Sequence, residues 1–278
     1  MNITDSHFHI WDRTRLTYDW LSDEPPIDRD FLPADYQEVA KPSNITRSVF
    51  VEAYVNRDLC LEETEWVLRI METHPWVAGV VGAIYLENDD ADEHLEIMAE
   101  RDGYVGVRRL FDPEEVDFPA RPDMIAGVKK LAKYDLPFDI CITSAHLPAV
   151  LELVMQAPEV RFVLDHIAKP KICDDQWEPW ADQLAQLAKF DNVVCKMSGV
   201  VTEAGDGKVT VEHLKPYIDH VVSCFGFDRL MFGSDWPVCT LQAQPDQWLS
   251  ILNEALGPIS DDEREALFNR TCERHYRL

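Results

Sequence analysis

Short apolar runs rich in Val, Ile and Phe alternate along this chain with longer stretches in which apolar positions recur every three to four residues. That is the pattern of β-strands followed by amphipathic helices. Eight runs read as strands: Ile3–Ile10, Ser48–Tyr54, Ala78–Leu86, Tyr104–Leu110, Phe138–Thr143, Arg161–Asp165, Val193–Met197 and Arg229–Gly233. Between them the helical spacing covers Leu61–Thr73, Asp92–Glu100, Pro122–Tyr134, Leu147–Gln156, Glu178–Phe190, Val211–Phe225 and Pro245–Leu256, and Asp261–His275 follows the last strand. Ser260-Asp261-Asp262-Glu263 fits a capping box, in which Ser and a Glu three residues later satisfy each other's orphan amides.

Eight strands with helices between and after them are what a closed barrel requires, whereas an open doubly wound sheet usually has fewer. The expected fold is therefore α/β, a single (β/α)8 TIM barrel over residues 1–278. The segment Trp11–Pro42, rich in Asp, Pro and aromatics, lacks either periodicity. It follows the first strand, and in this fold the βα loops rim the catalytic face, so it is expected to form a lid or pocket wall.

Composition narrows the function. A formal charge of -25 at pH 7 opposes binding to nucleic acid or anionic lipid, which need a basic face. The sequence holds no apolar run long enough for a membrane span and begins without a basic region and apolar signal core, which predicts a cytoplasmic protein. Its seven cysteines are odd in number, scattered and never Cys-x-x-Cys, so most are expected reduced and buried.

The candidate chemistry gathers at strand ends. Strand one runs through Asp5-Ser6-His7-Phe8-His9, and residues two apart on a strand point the same way, so His7 and His9 can converge. Strand six ends at His166 and strand eight leads into Gly233-Ser234-Asp235-Trp236-Pro237. The first and last strands are neighbours in a closed barrel. Such a set can hold a divalent metal through imidazole and carboxylate, and the carboxylate can take a proton from an attacking water. His146, just past strand five, is read equally as a pocket residue or a structural one. The remaining histidines, in helices and loops away from that face, receive no role.

Asp5-Ser6-His7-Phe8-His9-Ile10-Trp11-Asp12, Gly106-Val107-Arg108, Leu164-Asp165-His166-Ile167-Ala168-Lys169-Pro170, Lys196-Met197-Ser198-Gly199 and Phe232-Gly233-Ser234-Asp235-Trp236-Pro237 together resemble the amidohydrolase superfamily. Within it they are similar to the branch of sugar-acid lactonases and muconolactone-type hydrolases. The resemblance implies a lactone hydrolase on a (β/α)8 barrel, with His7, His9, His166 and Asp235 at the matching site positions and substrate contacts from Arg108 and Lys196. Strand four departs from the pattern: it carries Arg108-Arg109 where well-known members have a metal-bridging Lys or Glu. A guanidinium is a poor ligand. The reading is one divalent metal, zinc or manganese, on His7, His9 and Asp235, or a metal-free site.

The expected mechanism has Asp235 deprotonating water, His7, His9, Arg108 or a metal stabilising the oxyanion, and Asp235 or His166 protonating the leaving alcohol. Trp11, Tyr18, Trp20, Tyr54 and Trp236 are candidates for a wall that meets the C–H faces of a sugar ring, and Glu52 for a hydroxyl acceptor. The favoured substrate is an aldonolactone such as L-fucono-, L-rhamnono- or L-galactonolactone. An anionic muconolactone or pyrone-dicarboxylate is the rival, and a decarboxylase of the same superfamily or a non-enzymatic binding protein stand further off. A homo-oligomer would suit the fold, but no interface is legible.

Overall fold

The computed structural model describes residues 1–278. Eight parallel strands follow one another in chain order: β1 (Ile3–Phe8), β2 (Ile45–Val51), β3 (Val77–Ala83), β4 (Tyr104–Leu110), β5 (Phe138–Cys141), β6 (Phe162–Leu164), β7 (Val193–Met197) and β8 (Leu230–Phe232). The ring closes just beyond β8. There the Asp235 amide donates to the His7 carbonyl at 2.8 Å, the His9 amide donates to the Trp236 carbonyl at 2.7 Å, and Phe8 pairs in parallel with Trp236. This is the expected (β/α)8 barrel, and its seam is stitched by the residues expected to carry chemistry.

Strand alternation sorts the side chains into two interiors. Phe50, Phe138, Phe162 and Phe232 face outward into a core of 75 buried residues beneath the helices. Val49, Val51, Val81, Val163, Val194 and Met231 form a separate cluster with Cys272 and Tyr276, which fills the floor of the barrel. Two residues beyond Val163 and Val194, and at Asp139 on β5, the interior turns polar. Asp139, Asp165 and Lys196 are fully buried, and His7, Arg108, His9 and Asp235 follow toward the mouth.

The helices Leu147–Gln156, Val211–Phe225 and Pro245–Leu256 coincide with their expected spans. So does the capping box: the Glu263 amide donates to Ser260 Oγ at 3.2 Å, and the Ser260 amide to Glu263 Oε2 at 2.7 Å. The helical spacing over Pro122–Tyr134 divides into Pro122–Lys129 and Leu131–Tyr134, and that over Asp261–His275 is interrupted by a π turn at Ala266–Arg270. The wider turn lets the consecutive Ala266, Leu267 and Phe268 all be buried. β2 ends three residues short of expectation, because Glu52 Oε2 accepts from the Tyr54 amide at 2.6 Å and Tyr54 turns left-handed, with φ 53°.

The segment Trp11–Pro42 is more ordered than its sequence implies. It contains short 3-10 turns at Asp19–Asp23 and Pro25–Ile27 and a helix, Pro33–Ala40, whose Asp35 side chain accepts from the Leu32 amide at 2.7 Å. All seven cysteines are unpaired, and five of them are buried. No helix is long and apolar enough to cross a membrane.

Candidate active site

β1 delivers two imidazoles to the barrel mouth. His7 Nε2 and His9 Nε2 face each other at 3.1 Å, and Asp235 Oδ1 lies 3.7 Å from the first and 3.4 Å from the second. His166 Nε2 approaches the same oxygen at 3.8 Å. Buried Asp5 braces this seam, accepting from the amides of His7 (3.0 Å) and Ser234 (2.8 Å) and from the Tyr36 hydroxyl (2.7 Å).

Backbone strain aims the other two groups. His166, Ile167, Ala168 and Lys169 all have positive φ, a left-handed turn that costs L-residues about 1–2 kcal/mol each. Asp235 is also left-handed, at φ 59°. The His166 ring is held by Ser198 Oγ at 2.9 Å from Nδ1 and lies flat against Gly199, where any Cβ would sit 2.6 Å from the ring's Cγ.

These surroundings fix the protonation states. Burial works to raise the Asp235 pKa, but His166, His9 and His7 outweigh it and hold the carboxyl well below its usual range, so it is ionised. Burial lowers His7 strongly and pushes His166 down to about 4, leaving both neutral near pH 7. His9 Nδ1 lies 2.8 Å from the Val51 carbonyl and must donate to it, so in the neutral ring Nε2 is the bare nitrogen, aimed at His7 and Asp235.

That bare nitrogen tests the metal expectation. Two imidazole nitrogens and a carboxylate oxygen, mutually within 3.1–3.7 Å, make a donor set that suits zinc or manganese, and His166 is placed to join it. His7, His9, His166 and Asp235 therefore fit one divalent ion. Arg108, on β4, offers no second ligand set.

A cavity of about 600 Å³ opens above this cluster, lined by His9, Arg108, His166 and Asp235 together with Trp20, Tyr54, Lys169 and Glu203. Several residues expected at the substrate lie elsewhere. The Trp11 indole is fully buried, donates to the Arg29 carbonyl at 2.6 Å and packs edge-on against Trp20 and Phe31. Trp236 packs against Phe31 and Tyr36. These rings bury more apolar area on one another than they could at a wet cavity, so they support the wall that Trp20 and Tyr54 present. Glu52 spends its carboxylate on Arg108 Nε (2.7 Å) and the Tyr54 amide, which leaves it committed within the protein. His146 is bound at Nδ1 to Thr143 Oγ1 at 2.9 Å and faces the Glu114 carbonyl, outside the cavity. Lys196 is fully buried below His7 and touches no solvent. Arg109 points away from Arg108, to Glu87 and Glu114, as strand alternation requires.

Four groups escaped the sequence reading. Asp165 lies 3.3 Å from His7 Nδ1 and 3.0 Å from Lys196 Nζ, and it was legible as the residue preceding His166. Asp139 and Tyr276 carry no motif. Glu203, on the short helix Val200–Ala204 after β7, lines the cavity with its pKa raised to about 7 by burial, reinforced by Asp112 and Asp235 against Lys169.

The amidohydrolase family profile matches residues 4–278. The chain is 32% identical to L-fucono-1,5-lactonase of Burkholderia ambifaria over 99% of its own length and 95% of the relative's, and 33% identical to L-fucono-1,5-lactonase of Burkholderia multivorans with the same coverage. A crystal structure of an amidohydrolase from B. multivorans with bound zinc superposes over the whole of both chains, with a TM-score of 0.89 and 30% identity. The cluster at the seam, the barrel and the matched sequence agree: this chain belongs to the amidohydrolase family.

Proposed function

We propose that the protein hydrolyses a neutral, polyhydroxylated sugar-acid lactone of the L-fuconolactone kind. The observation that carries this choice over an anionic lactone is the charge of the cavity wall. Its two cations are already neutralised, Arg108 by Glu52 at 2.7 Å with Asp165 at 3.5 Å, and Lys169 by Asp112. Glu24 and Glu203 add carboxylates to the lining without an ion pair. A dicarboxylate would enter a net acidic pocket with no free cation to receive it, whereas hydroxyls find acceptors in Glu24 and Glu203 and donors in Thr202 and Gln242. The names of the two lactonase relatives support the same class.

In this reading ionised Asp235 accepts a proton from water as the water oxygen attacks the lactone carbonyl. Arg108 lines the cavity, and its Nη1, with no partner nearer than Asp165 at 3.5 Å, is the one guanidinium donor left to hydrogen-bond the oxyanion. As the ring C–O bond breaks, the leaving oxygen takes a proton from Glu203, whose raised pKa of about 7 keeps a proton available near neutral pH. The product carboxylic acid ionises and the proton on Asp235 passes through solvent to restore Glu203, so one proton is released per turnover. When bound on His7, His9, His166 and Asp235, a zinc or manganese ion supplies Lewis acidity at the carbonyl. Trp20 and Tyr54 offer ring faces to the substrate.

The test is proton release, followed with an indicator, from L-fucono-, L-rhamnono- and L-galactonolactone alongside muconolactone and 2-pyrone-4,6-dicarboxylate, with native and chelator-treated enzyme. A neutral sugar lactone should be preferred by at least about 100-fold in kcat/KM, the scale of about 3 kcal/mol for an unpaired buried charge. Preference for a dicarboxylate would overturn the charge argument, and carbon dioxide release without acid would overturn the reaction class.

A further inference from the structure

The catalytic cavity does not end at its aromatic wall. Trp20 and Tyr54 also line a second cavity, of about 410 Å³, beside the first. Past Tyr85 the depression continues into a third, of about 450 Å³, which shares Arg57, Asp58 and Tyr85 with the second. Tyr54 follows β2 and Tyr85 follows β3, so the three make a groove that leaves the site across the barrel mouth.

The partition between the first two cavities is firmly held. Trp20 Nε1 donates to the Ala53 carbonyl at 2.9 Å, the Asp19 amide to Asn56 Oδ1 at 3.1 Å, and the Asn56 amide to the Thr17 carbonyl at 2.9 Å. These bonds clip the segment after β1 to the end of β2. Tyr54 stands there in the left-handed region at φ 53°, a costly conformation for a bulky residue and one that its surroundings must impose.

The second cavity is fixed as well. Two guanidinium groups lie against the Tyr85 ring, with Arg57 Cζ 3.9 Å and Arg109 Cζ 4.4 Å from its centre. Arg109 is buried with Nε lacking a hydrogen-bond partner, and Arg57 is held by Asn88 Oδ1 at 2.7 Å. The two cations line this cavity together with the carboxylates of Asp19, Asp58 and Glu114. That balance leaves no surplus positive charge for an anion, and so many charged groups repel an apolar guest. Hydroxyl groups, which both donate and accept, suit donors and acceptors placed side by side, while Trp20 and Tyr54 supply apolar surface for the C–H faces of a ring.

We propose that the groove is a glycosyl subsite, and that the enzyme accepts a lactone bearing a second sugar ring, the lactone of an oxidised disaccharide. The lactone ring lies at Asp235 and the glycosyl unit lies past Tyr54. Hydrolysis opens the same ester bond and leaves the glycosidic bond intact.

This inference rests on the lactonase reading for the first ring, and it is tested both with and without turnover. D-Glucono-1,5-lactone is compared in kcat/KM with cellobiono-, laminaribiono- and melibiono-1,5-lactone, which keep its ring and add a second at the 4-, 3- or 6-hydroxyl. Glucose, cellobiose, laminaribiose and melibiose, neutral rings with no ester to hydrolyse, are compared in affinity by NMR titration. At least one two-ring compound should gain about 10-fold over its one-ring parent in each assay, the scale of one or two new hydrogen bonds. Arg57 and Asp58 are exposed and stand outside the proposed catalytic machinery, so Arg57→Ala/Asp58→Ala should remove most of that gain while the one-ring kcat/KM and the melting temperature stay unchanged. Two-ring sugars that bind and react no better than their parents overturn the proposal, as does a preference that survives the double variant or falls only together with the one-ring activity. If no lactone of any kind is hydrolysed, the substrate reading fails and the titration alone decides the subsite.

Discussion

Gly199→Ala is the sharpest test of how the His166 ring is held. A Cβ at Gly199 would lie 2.6 Å from His166 Cγ and 2.7 Å from its Cβ and Nδ1, against about 3.5–4.0 Å for ordinary contact. The ring must retreat by about 1 Å, which breaks the 2.9 Å contact to Ser198 Oγ and moves Nε2 relative to Asp235. A displacement of that size at a reacting group costs about 100-fold in rate. The added side chain also sits at φ 66°, worth about 1–2 kcal/mol, or about 2–4 °C of Tm for a chain of this size. The assay is kcat/KM on the preferred lactone beside a circular-dichroism melt. Gly257→Ala separates the two effects, because Gly257 has φ 65° with nothing within 4 Å of its would-be Cβ. Its ψ of -152° lies in a region essentially reserved for glycine, against -3° at Gly199, so Gly257→Ala should lose at least as many degrees and no activity. Gly199→Ala within threefold of wild-type kcat/KM would show that His166 has room to move or no part in turnover.

Other expectations follow from the charges. Asp235→Asn should lower kcat by at least about 1000-fold, within the range for loss of a general base, with the melt unchanged; full turnover would dismiss Asp235 as base. Glu203 must be protonated to donate and its pKa is about 7, so kcat should fall as pH rises through about 7, and Glu203→Gln should abolish that limb; an identical alkaline limb in the variant would exclude Glu203. Buried Glu63 has a folded pKa raised by burial, with neighbouring Glu52, to about 8, above its unfolded value of 4.5. The folded state therefore holds that proton longer, and this contribution is full below pH 4.5 and lost as pH rises through about 8. Tm should decline over that window in the wild type and less in Glu63→Gln, and parallel pH profiles would count against it. Zinc or manganese should bind at one equivalent by calorimetry and weaken in His9→Ala; undiminished binding in that variant would place the ion elsewhere.

The barrel, the seam histidines and Asp235 were legible because they depend on period-two alternation and on the adjacency of first and last strands, both properties of the chain pattern. Trp11 and Trp236 read as pocket wall because they lie beside site residues in sequence, yet which way a loop aromatic faces is decided by neighbours such as Phe31 and Tyr36 that only folding brings near. Lys196 was read as a substrate contact from its motif, and its depth on β7 removes it from the cavity. Asp139, Glu203 and Tyr276 gave no signal, since each acquires meaning from partners far away in sequence. The hydroxyl of Tyr276 meets a carboxylate 137 positions before it.

The seam has a consequence for the making of the protein. His7 and His9 emerge almost at the start of synthesis, but the backbone bonds that align them come from Asp235 and Trp236, and the tyrosine beneath them comes later still. An unfinished polypeptide thus carries His7 and His9 without the alignment that the proposed site needs. A chain cut in any loop between β1 and β8 would regain activity only when its pieces rejoin, which makes turnover a direct report on barrel closure.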